Sequence, residues 1–492
     1  MFGNKNIFLI LGPLLFLVFY YIGPPATINK EAYHLLLIVL WMAIWWTTEA
    51  LPIAVTALLP LILFPLFCYD PAIEFGMNIS KTAEAYSSKI TFLFIGGFIV
   101  ALAIEKWNLH KRIALHIIWL TGKNISKIIL GFMIATAFLS MWISNTATTV
   151  MMLPIGLSII GQLKKNPNTN KAENNRFAKA LMLSIAFSAS IGGIATLIGT
   201  PPNLILASFI EKQANVEISF LQWMKFGLPV SIFLLLLAWI YLTKIAFNFN
   251  NKEFTYGKQE IAIQLKNLGP MKIEEKLVLL IFGLTVFSWT TRSVIINHFF
   301  PKIDDTIIAV SAALLLFIIP SKTKNEKLMS WNDAIKLPWG ILLLFGGGLA
   351  IASGFETTGL ADWIGSQITL LDTLSLLTIV FLIVGLVNFL TEITSNLATT
   401  TMLLPIMASF AISLEVNSNL FLVATTVAAS CAFMLPVATP PNAVVFGSGY
   451  LKVSDMVKVG FWMNIISIII ISLFVYFLLS YLWDFNIFNY ER

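Results

Sequence analysis

Two short polar runs of almost the same composition lie far apart in a very apolar chain. Residues 144–149 read SNTATT and residues 395–400 read SNLATT, and each run continues to Leu-Pro-Ile at the same spacing. A second pair reads GTPPN at 199–203 and ATPPN at 438–442. Asn offers a carbonyl acceptor and an amide donor, so it can contact a cation and an anion at once, and Ser and Thr add hydroxyls. The runs are therefore candidates for a site that binds both kinds of ion.

The Thr-Pro-Pro-Asn runs must interrupt a helix. Two adjacent prolines lack N–H donors, and each disfavours the α conformation in the residue before it. We therefore expect 180–210 and 419–450 to be broken helices with an unwound joint. The start of a half-helix presents free N–H groups that suit a carboxylate, and unwound carbonyls suit Na⁺. Helix packing is the competing interpretation of the Ser, Thr and Asn residues, but their pairing with repeated Pro-Pro breaks favours binding.

Charged residues are almost absent from these segments. Residues 128–163, 180–210 and 419–450 contain no Asp, Glu, Lys or Arg, and 373–414 contains only Glu392. No Lys or Arg can neutralise a bound dianion there, so bound cations would have to supply the charge. Glu392 is an intramembrane carboxylate, which is functional by default. Its two interpretations are a proton site and a hydrogen-bonding role inside the hairpin, of which we favour the second.

The composition is that of a polytopic membrane protein. Of 492 residues, 58% are hydrophobic and 11% are charged, whereas soluble domains carry roughly a quarter charged residues. The two cysteines support no disulfide framework, metal site or redox motif, and no cofactor is implied. The basic balance needs no nucleic-acid partner, because Lys and Arg collect in the cytoplasmic loops of membrane proteins.

Apolar runs of about 20 residues, the length needed to cross a bilayer, predict eleven transmembrane helices in an all-α protein. Two other apolar stretches, 128–163 and 373–414, are too long for one helix. We predict that each is a re-entrant hairpin with the Ser-Asn run at its tip, and two ordinary crossings per stretch are the alternative. The predicted spans are 7–22, 33–49, 50–68, 91–104, 180–210, 224–243, 277–296, 306–320, 339–354, 419–450 and 460–483.

Basic residues predict the orientation. With a cytoplasmic N-terminus, the inner segments carry 23 of the 31 Lys and Arg residues, as the positive-inside rule requires. Eleven crossings then place the C-terminus outside a bacterial inner (plasma) membrane. The flanks of 128–163 are basic and those of 373–414 are acidic, so the two hairpins open to opposite sides. The inner segments are 1–6, 105–127, 164–179, 244–276, 321–336 and 452–458.

The paired motifs recur in one order and indicate an internal repeat. Phe94-Ile-Gly-Gly is similar to Phe345-Gly-Gly-Gly, which adds a third pair to the two above. An odd number of spans per half inverts the second half, and inverted repeats with matching broken helices are typical of secondary transporters. We predict a first helix in 1–32, repeat 1 in 33–247, a cytoplasmic linker with an interfacial helix in 248–276, and repeat 2 in 277–492.

Together with WWTTEALPI at 45–53 and LGPM at 268–271, these motifs make the whole chain resemble the divalent anion:sodium symporter family. The resemblance implies a homodimer in membrane lipid, with a scaffold domain and a transport domain that moves as an elevator. It implies import of a C4-dicarboxylate such as succinate, malate or fumarate with Na⁺ as coupling ion. Citrate or sulfate transport, and sodium-independent or proton-coupled exchange, are the alternatives.

The resemblance also implies site residues, by position in the shared motifs. Leu397 stands where the family often has Thr, which removes a hydroxyl from the implied anion pocket and leaves the size of the anion open. The implied sodium ligands are Ser140, Ser144, Asn145 and Gly199 in the first site, and Thr391, Thr394, Asn396 and Ala438 in the second. The implied substrate contacts are Ser144, Asn145, Thr146, Thr200, Ser395, Asn396, Leu397 and Thr439.

Two other function classes fit the sequence poorly. An ion channel usually has a symmetric filter or charged rings, whereas this candidate site lies between repeats of one chain. An enzyme would need catalytic residues, and the sequence has no HExxH, P-loop or G-x-S-x-G motif. A transporter is therefore the prediction.

Overall fold

The structure, a computed structural model, describes residues 5–122, 124–165, 170–249, 255–323, 326–367 and 374–488. Residue 373 of the predicted second hairpin, residues 250–254 of the predicted linker, and the chain ends 1–4 and 489–492 lie outside the described residues. Helices dominate, as predicted, and one small antiparallel sheet joins β1 (Tyr69–Asp70) to β2 (Phe75–Gly76).

The helices of the first half include two pairs that flank the polar runs. A 3₁₀ turn at Ala85–Ser87 follows the short helix Ile79–Glu84, and a π-helical turn at Tyr241–Ala246 extends the long helix Phe220–Ile240. The helices are α1 (Lys5–Ile22), α2 (Lys30–Thr48), α3 (Ile53–Thr56), α4 (Leu59–Phe67), α5 (Ile79–Glu84), α6 (Lys89–Lys106), α7 (Leu109–Leu120), α8 (Ile125–Ser140), α9 (Asn145–Lys165), α10 (Lys171–Ile194), α11 (Pro201–Ala214) and α12 (Phe220–Ile240).

The second half also contains both short and long helices. Further π-helical turns lie at Arg292–Ile296 and Val475–Leu479. The helices are α13 (Thr255–Asn267), α14 (Ile273–Thr291), α15 (Asn297–Phe299), α16 (Asp305–Ile318), α17 (Trp331–Ala334), α18 (Trp339–Thr358), α19 (Leu360–Gln367), α20 (Leu376–Leu390), α21 (Asn396–Ser413), α22 (Asn419–Ala429), α23 (Pro440–Phe446), α24 (Val453–Phe474) and α25 (Ser480–Trp483).

The part of the chain that the structure describes contains nine helical segments that are long and apolar enough to cross a membrane, and the protein is a multi-pass membrane protein. Six shorter apolar helices of 10–17 residues accompany them. The predicted span 50–68 consists of α3 and α4, with a turn between them. The count of eleven crossings stays a prediction, because α9 and α21, which we placed in hairpins, are among the nine.

Both predicted broken helices are interrupted at the Pro-Pro runs. Helix α10 ends at Ile194, and α11 begins at Pro201 after six non-helical residues. Helix α22 ends at Ala429, and α23 begins at Pro440. In both cases proline occupies the first helical position, where its missing N–H has no partner to lose.

The two halves interlock around these interruptions. Each predicted hairpin packs on the broken helix of its own half, α8 and α9 on α10, and α20 and α21 on α22. Across the halves, α9 packs on α23 and α21 packs on α11. Phe187 of α10 also meets Phe433 of the second joint, with ring centroids 5.0 Å apart. This crossed packing places the two joints and the two Ser-Asn runs in the same buried region.

The remaining long helices surround this centre. Helices α1, α2, α4 and α18 share a separate apolar cluster that reaches α21 through Ala398 and Met402. Outside the spans, Lys106 Nζ meets Asp333 Oδ2 at 2.7 Å and ties the end of α6 to α17. Burial opposes the ionisation of Asp333, but hydrogen bonds from Lys106 and Ser330 outweigh it and hold the pKa of Asp333 below its ordinary value.

A buried ion pair fastens α12 to α14 and α16. Arg292 Nε lies 2.7 Å from Asp305 Oδ1, and Asp305 Oδ2 accepts the Phe220 backbone N–H at 2.7 Å. Both charged side chains are buried, 5% and 3% exposed. Arg292 Nη2 also meets Glu217 Oε1 at 2.7 Å, so Arg292 keeps one partner when Asp305 is removed. The buried Phe220 N–H then loses its acceptor, and an unsatisfied buried group costs about 1–3 kcal/mol.

We therefore expect Asp305→Ala to lower the stability of the detergent-purified protein by about 3 kcal/mol, through the lost ion pair and the unpaired N–H together. The neighbouring Asp304→Ala is the matched control, because Asp304 only caps α16 by accepting the Ile307 N–H at 2.8 Å. Loss of a cap costs about 1 kcal/mol. Thermal unfolding followed by fluorescence compares the two, and equal shifts would contradict the assigned role of the ion pair.

Candidate functional site

Each Ser-Asn run forms the start of a helix that points into the buried centre. Ser395 caps α21 by accepting the Ala398 N–H at 3.1 Å, and Ser144 accepts the Ala147 N–H at 3.3 Å in the same way. Asn145 and Asn396 are the first helical residues. The sequence favours this start because Ser is a preferred N-cap. The remaining free N–H groups and the positive end of the helix dipole suit an anion.

Four oxygen-bearing groups converge at the first run. The Ser140 hydroxyl lies 2.7 Å from the Asn145 side-chain oxygen and donates to the Ala189 carbonyl at 2.6 Å. The same atom of Asn145 lies 3.2 Å from the Ala189 carbonyl oxygen and 3.3 Å from that of Gly199. With this amide orientation, Asn145 Oδ1 faces the oxygens of Ser140, Ala189 and Gly199, an arrangement that a hard cation would stabilise. With the amide turned, the NH₂ group takes the place of Oδ1 and lies within hydrogen-bonding distance of the same three oxygens.

The second run repeats this arrangement. The Thr391 hydroxyl oxygen lies 2.9 Å from both Asn396 Oδ1 and the Ala429 carbonyl oxygen, and its single proton can be donated to either. Thr391 and Asn396 occupy the positions of Ser140 and Asn145 at an offset of 251 residues. Each of the two clusters therefore combines a hydroxyl, an asparagine side chain and an alanine carbonyl of the helix that precedes the joint.

In each unwound joint, the asparagine of the Thr-Pro-Pro-Asn run donates two hydrogen bonds to backbone carbonyls. Asn203 Nδ2 donates to the Gly193 and Thr196 carbonyls at 3.1 and 2.8 Å. Asn442 Nδ2 donates to the Ala432 and Leu435 carbonyls at 3.3 and 3.0 Å. All six residues are related by the same offset of 239. These asparagines shape the joints that present the carbonyls.

A glycine makes room for the first asparagine. A Cβ added at Gly193 would lie 2.6 Å from Asn145 Oδ1, and one at Gly199 would lie 2.5 Å from the Gly193 carbonyl oxygen. Sequence reasoning missed Gly193, Ala189 and Ala429. The Gly192-Gly193 pair was a signal for a close approach, whereas nothing in the sequence marked the two alanine carbonyls.

Glu392 is the one charged side chain in the predicted hairpins, and it is only 3% exposed. Oε1 accepts the backbone N–H groups of Phe433 and Met434 at 2.7 and 2.9 Å, and Oε2 accepts that of Leu435 at 3.0 Å. Asn464 Nδ2 of α24 donates to Oε1 at 2.8 Å. Glu392 therefore joins the second hairpin, the second joint and α24. At the offset of 251 residues, Met141 stands at the corresponding position of the first run.

The other predicted residues lie around the two clusters. Thr200 and Thr439 cap the half-helices after the joints and are each 3% exposed. Ala438 is 5% exposed in the second joint, and Thr146 is half-buried. The Thr394 hydroxyl donates to the Leu390 carbonyl of its own arm at 2.9 Å, so the structure does not draw it into the Asn396 cluster.

A cavity of about 610 Å³ reaches the second run. Leu397 lines it together with the segment 49–54 and with Pro338, Gly340 and Leu344. Segment 49–52 precedes α3, and segment 338–340 contains the start of α18. The Leu397 side chain therefore faces open volume beside the Ser-Asn run.

The sequence profile of the sodium:sulfate symporter transmembrane region matches residues 4–483. The chain belongs to this divalent anion:sodium symporter family. It is accordingly a transporter and not an enzyme. Two relatives carry the name sodium-dependent dicarboxylate transporter SdcS. The protein of Staphylococcus saprophyticus is 47% identical over 96% of this chain and 90% of its own length, and that of Staphylococcus aureus (strain bovine RF122 / ET3-1) is 45% identical over 97% and 92%.

Two solved transporter structures share the fold of this symporter-family member at low identity. MtrF of Neisseria gonorrhoeae matches with a TM-score of 0.55 at 11% identity, over 94% of this chain and 98% of that chain. The YdaH transporter of Alcanivorax borkumensis matches with a TM-score of 0.54 at 10% identity, over 92% and 99%.

Proposed function

We propose that the protein imports a C4-dicarboxylate, such as succinate, malate or fumarate, together with Na⁺. The observation that carries the proposal is the twofold cluster of a hydroxyl, an asparagine and carbonyl oxygens in a centre that lacks Lys and Arg. Relatives at 45–47% identity that are named sodium-dependent dicarboxylate transporters support the same substrate class.

The first Na⁺ is held by Ser140, Ser144, Asn145 and the Gly199 carbonyl. The second is held by Thr391, Asn396 and the Ala438 carbonyl. Thr394, which the family resemblance also implies, would have to turn from the Leu390 carbonyl to join them. Neutral oxygens suit Na⁺, a hard cation, and unwound joints supply them without a buried carboxylate ligand. The convergence of Ser140, Asn145 and the Gly199 carbonyl within 3.3 Å supports the first site most directly.

The dicarboxylate lies between the two helix starts. The N–H groups and hydroxyls of Ser144-Asn145-Thr146 take one carboxylate and those of Ser395-Asn396 the other, with Thr200 and Thr439 beside them. Two bound Na⁺ ions offset the double negative charge that the protein itself does not neutralise. Because each asparagine touches a cation and the anion, neither ligand is bound well without the other, which couples their transport.

The packing of the helices supports an elevator mechanism of translocation. The broken helices and the arms α8–α9 and α20–α21 form the transport domain, which moves as an elevator against a scaffold of the remaining helices in each protomer of a homodimer. Arms of 16 and 15 residues, α8 and α20, are short for a full crossing and support the hairpin arrangement. With the N-terminus cytoplasmic in the inner membrane, the cavity at Leu397 opens inward.

Uptake of radiolabelled succinate into proteoliposomes tests the proposal. An inward Na⁺ gradient should drive concentrative uptake, and a matched K⁺ gradient should not. Uptake that ignores Na⁺ but needs internal dicarboxylate would identify an exchanger and remove both cation sites. If succinate is not transported while citrate or sulfate is, Leu397 borders a site for a different anion.

A further inference from the structure

A second large cavity lies far from the Ser-Asn runs. It measures about 960 Å³ and opens between the start of α10, the π-helical turn that ends α12 and the start of α24. On α10, Arg176 at its rim precedes Ala189 of the first oxygen cluster by 13 residues, or about 20 Å of helix. The cavity therefore does not belong to the proposed transport site. The Tyr241 hydroxyl closes its base by donating to the Val459 carbonyl at 3.1 Å.

This second cavity, called the groove below, carries uncompensated positive charge at its rim. Lys179 Nζ pairs with Asp455 Oδ1 at 2.7 Å, and Asp455 Oδ2 accepts the Lys452 N–H at 3.0 Å, so this carboxylate is already satisfied. Arg176 and Lys458 are exposed, and neither is within salt-bridge distance of an acidic side chain in the described ranges. Two free cations from two different helices thus face one opening.

The wall below the rim is apolar. Lys458, Trp462 and Ile466 follow one another at four-residue spacing, so they lie in line on one face of α24. Trp462 is 56% exposed, and Ile245 opposite it is 70% exposed. Along α24, this face presents first a cation, then an aromatic ring and then an aliphatic side chain. The parts of a lipid follow in the matching order, from the headgroup through the interfacial region to the acyl chain.

We propose that this groove binds one anionic phospholipid. The phosphate lies between Arg176 and Lys458, and the acyl chains run along Trp462 and Ile466. Charge complementarity selects an anionic over a zwitterionic headgroup, and the apolar wall selects a lipid over a free anion. The groove joins the first broken helix to α24, which also holds Glu392 through Asn464, so a lipid there contacts the elements that shape both joints.

Native mass spectrometry of the detergent-purified full chain tests this proposal. The probes are phosphatidylglycerol, phosphatidylcholine with the same acyl chains, and inorganic phosphate. We expect phosphatidylglycerol to bind about 25-fold more tightly than phosphatidylcholine, at about fivefold for each of the two charges. The Arg176→Gln/Lys458→Gln variant should lose this preference. Lys111→Gln/Lys322→Gln removes two exposed cations elsewhere and should leave the preference intact.

Ile466→Trp fills the apolar wall without changing the charge and should weaken binding of both lipids. Equal affinity for the two lipids, or a preference that survives in the Arg176→Gln/Lys458→Gln variant, would overturn the proposal. Displacement of phosphatidylglycerol by millimolar inorganic phosphate alone would identify a site for a free anion instead.

Discussion

Asn145→Ala and Asn396→Ala are each expected to reduce Na⁺-driven succinate uptake by about 100-fold or more. Each side chain lies within 2.9 Å of its partner hydroxyl and starts the helix that faces the proposed anion. Truncation removes a cation ligand and an anion contact together, and hydrogen bonds to charged groups contribute about 1.5–3 kcal/mol each. Initial uptake rates in proteoliposomes, normalised to reconstituted protein, measure the effect.

Asn417→Ala is the matched control for these variants. Its side chain accepts the Asn419 N–H at 3.0 Å in an outer turn, so the substitution removes a comparable local hydrogen bond away from the clusters. We expect the control to keep near-normal uptake and all three proteins to elute as monodisperse species. Near-normal uptake by either Asn145→Ala or Asn396→Ala would show that the affected asparagine does not bridge the two ions.

Glu392→Gln should raise the Na⁺ concentration for half-maximal uptake by about 10- to 100-fold while the protein still folds. Both carboxylate oxygens accept backbone N–H groups of residues 433–435. An amide turns one acceptor into a donor that faces another donor, and an unsatisfied buried group costs about 1–3 kcal/mol. The second joint then shifts and withdraws the carbonyls proposed for the second Na⁺. Glu392 acts here as a positioning residue.

Glu415→Gln removes a carboxylate from an exposed turn at the end of the same hairpin and serves as the control. The Na⁺ dependence of uptake, measured at saturating succinate, separates the two interpretations of Glu392. An unchanged Na⁺ dependence together with loss of the pH dependence of uptake would identify Glu392 as a proton site. An unchanged Na⁺ and pH dependence would leave it without a role in transport.

The local chemistry of the site could be predicted from the sequence. Proline pairs interrupt helices for reasons contained in the residues themselves, and α11 and α23 begin at Pro201 and Pro440 as that argument requires. Ser140 and Asn145 are five residues apart, so their meeting at a helix turn is also a local event. Thr391 and Asn396 were implied by the resemblance to the symporter family, and they match Ser140 and Asn145 at an offset of 251 residues.

Contacts between distant segments could not be predicted in this way. The Ala189 carbonyl reaches Ser140 only because α10 packs on α8, and Glu392 meets residues 433–435 across more than 40 positions of chain. Such partners depend on how whole helices pack, which no single run of residues encodes. The division of 50–68 into α3 and α4 and the β1–β2 hairpin were missed because their signals are weak within one apolar run.

The ratio of Na⁺ to succinate transported by the reconstituted protein tests the central claim most directly. Simultaneous uptake of ²²Na⁺ and ¹⁴C-succinate gives this ratio. Two clusters, at Asn145 and at Asn396, predict at least two Na⁺ ions per succinate. Succinate uptake without accompanying ²²Na⁺ would contradict the assignment of these clusters as cation sites.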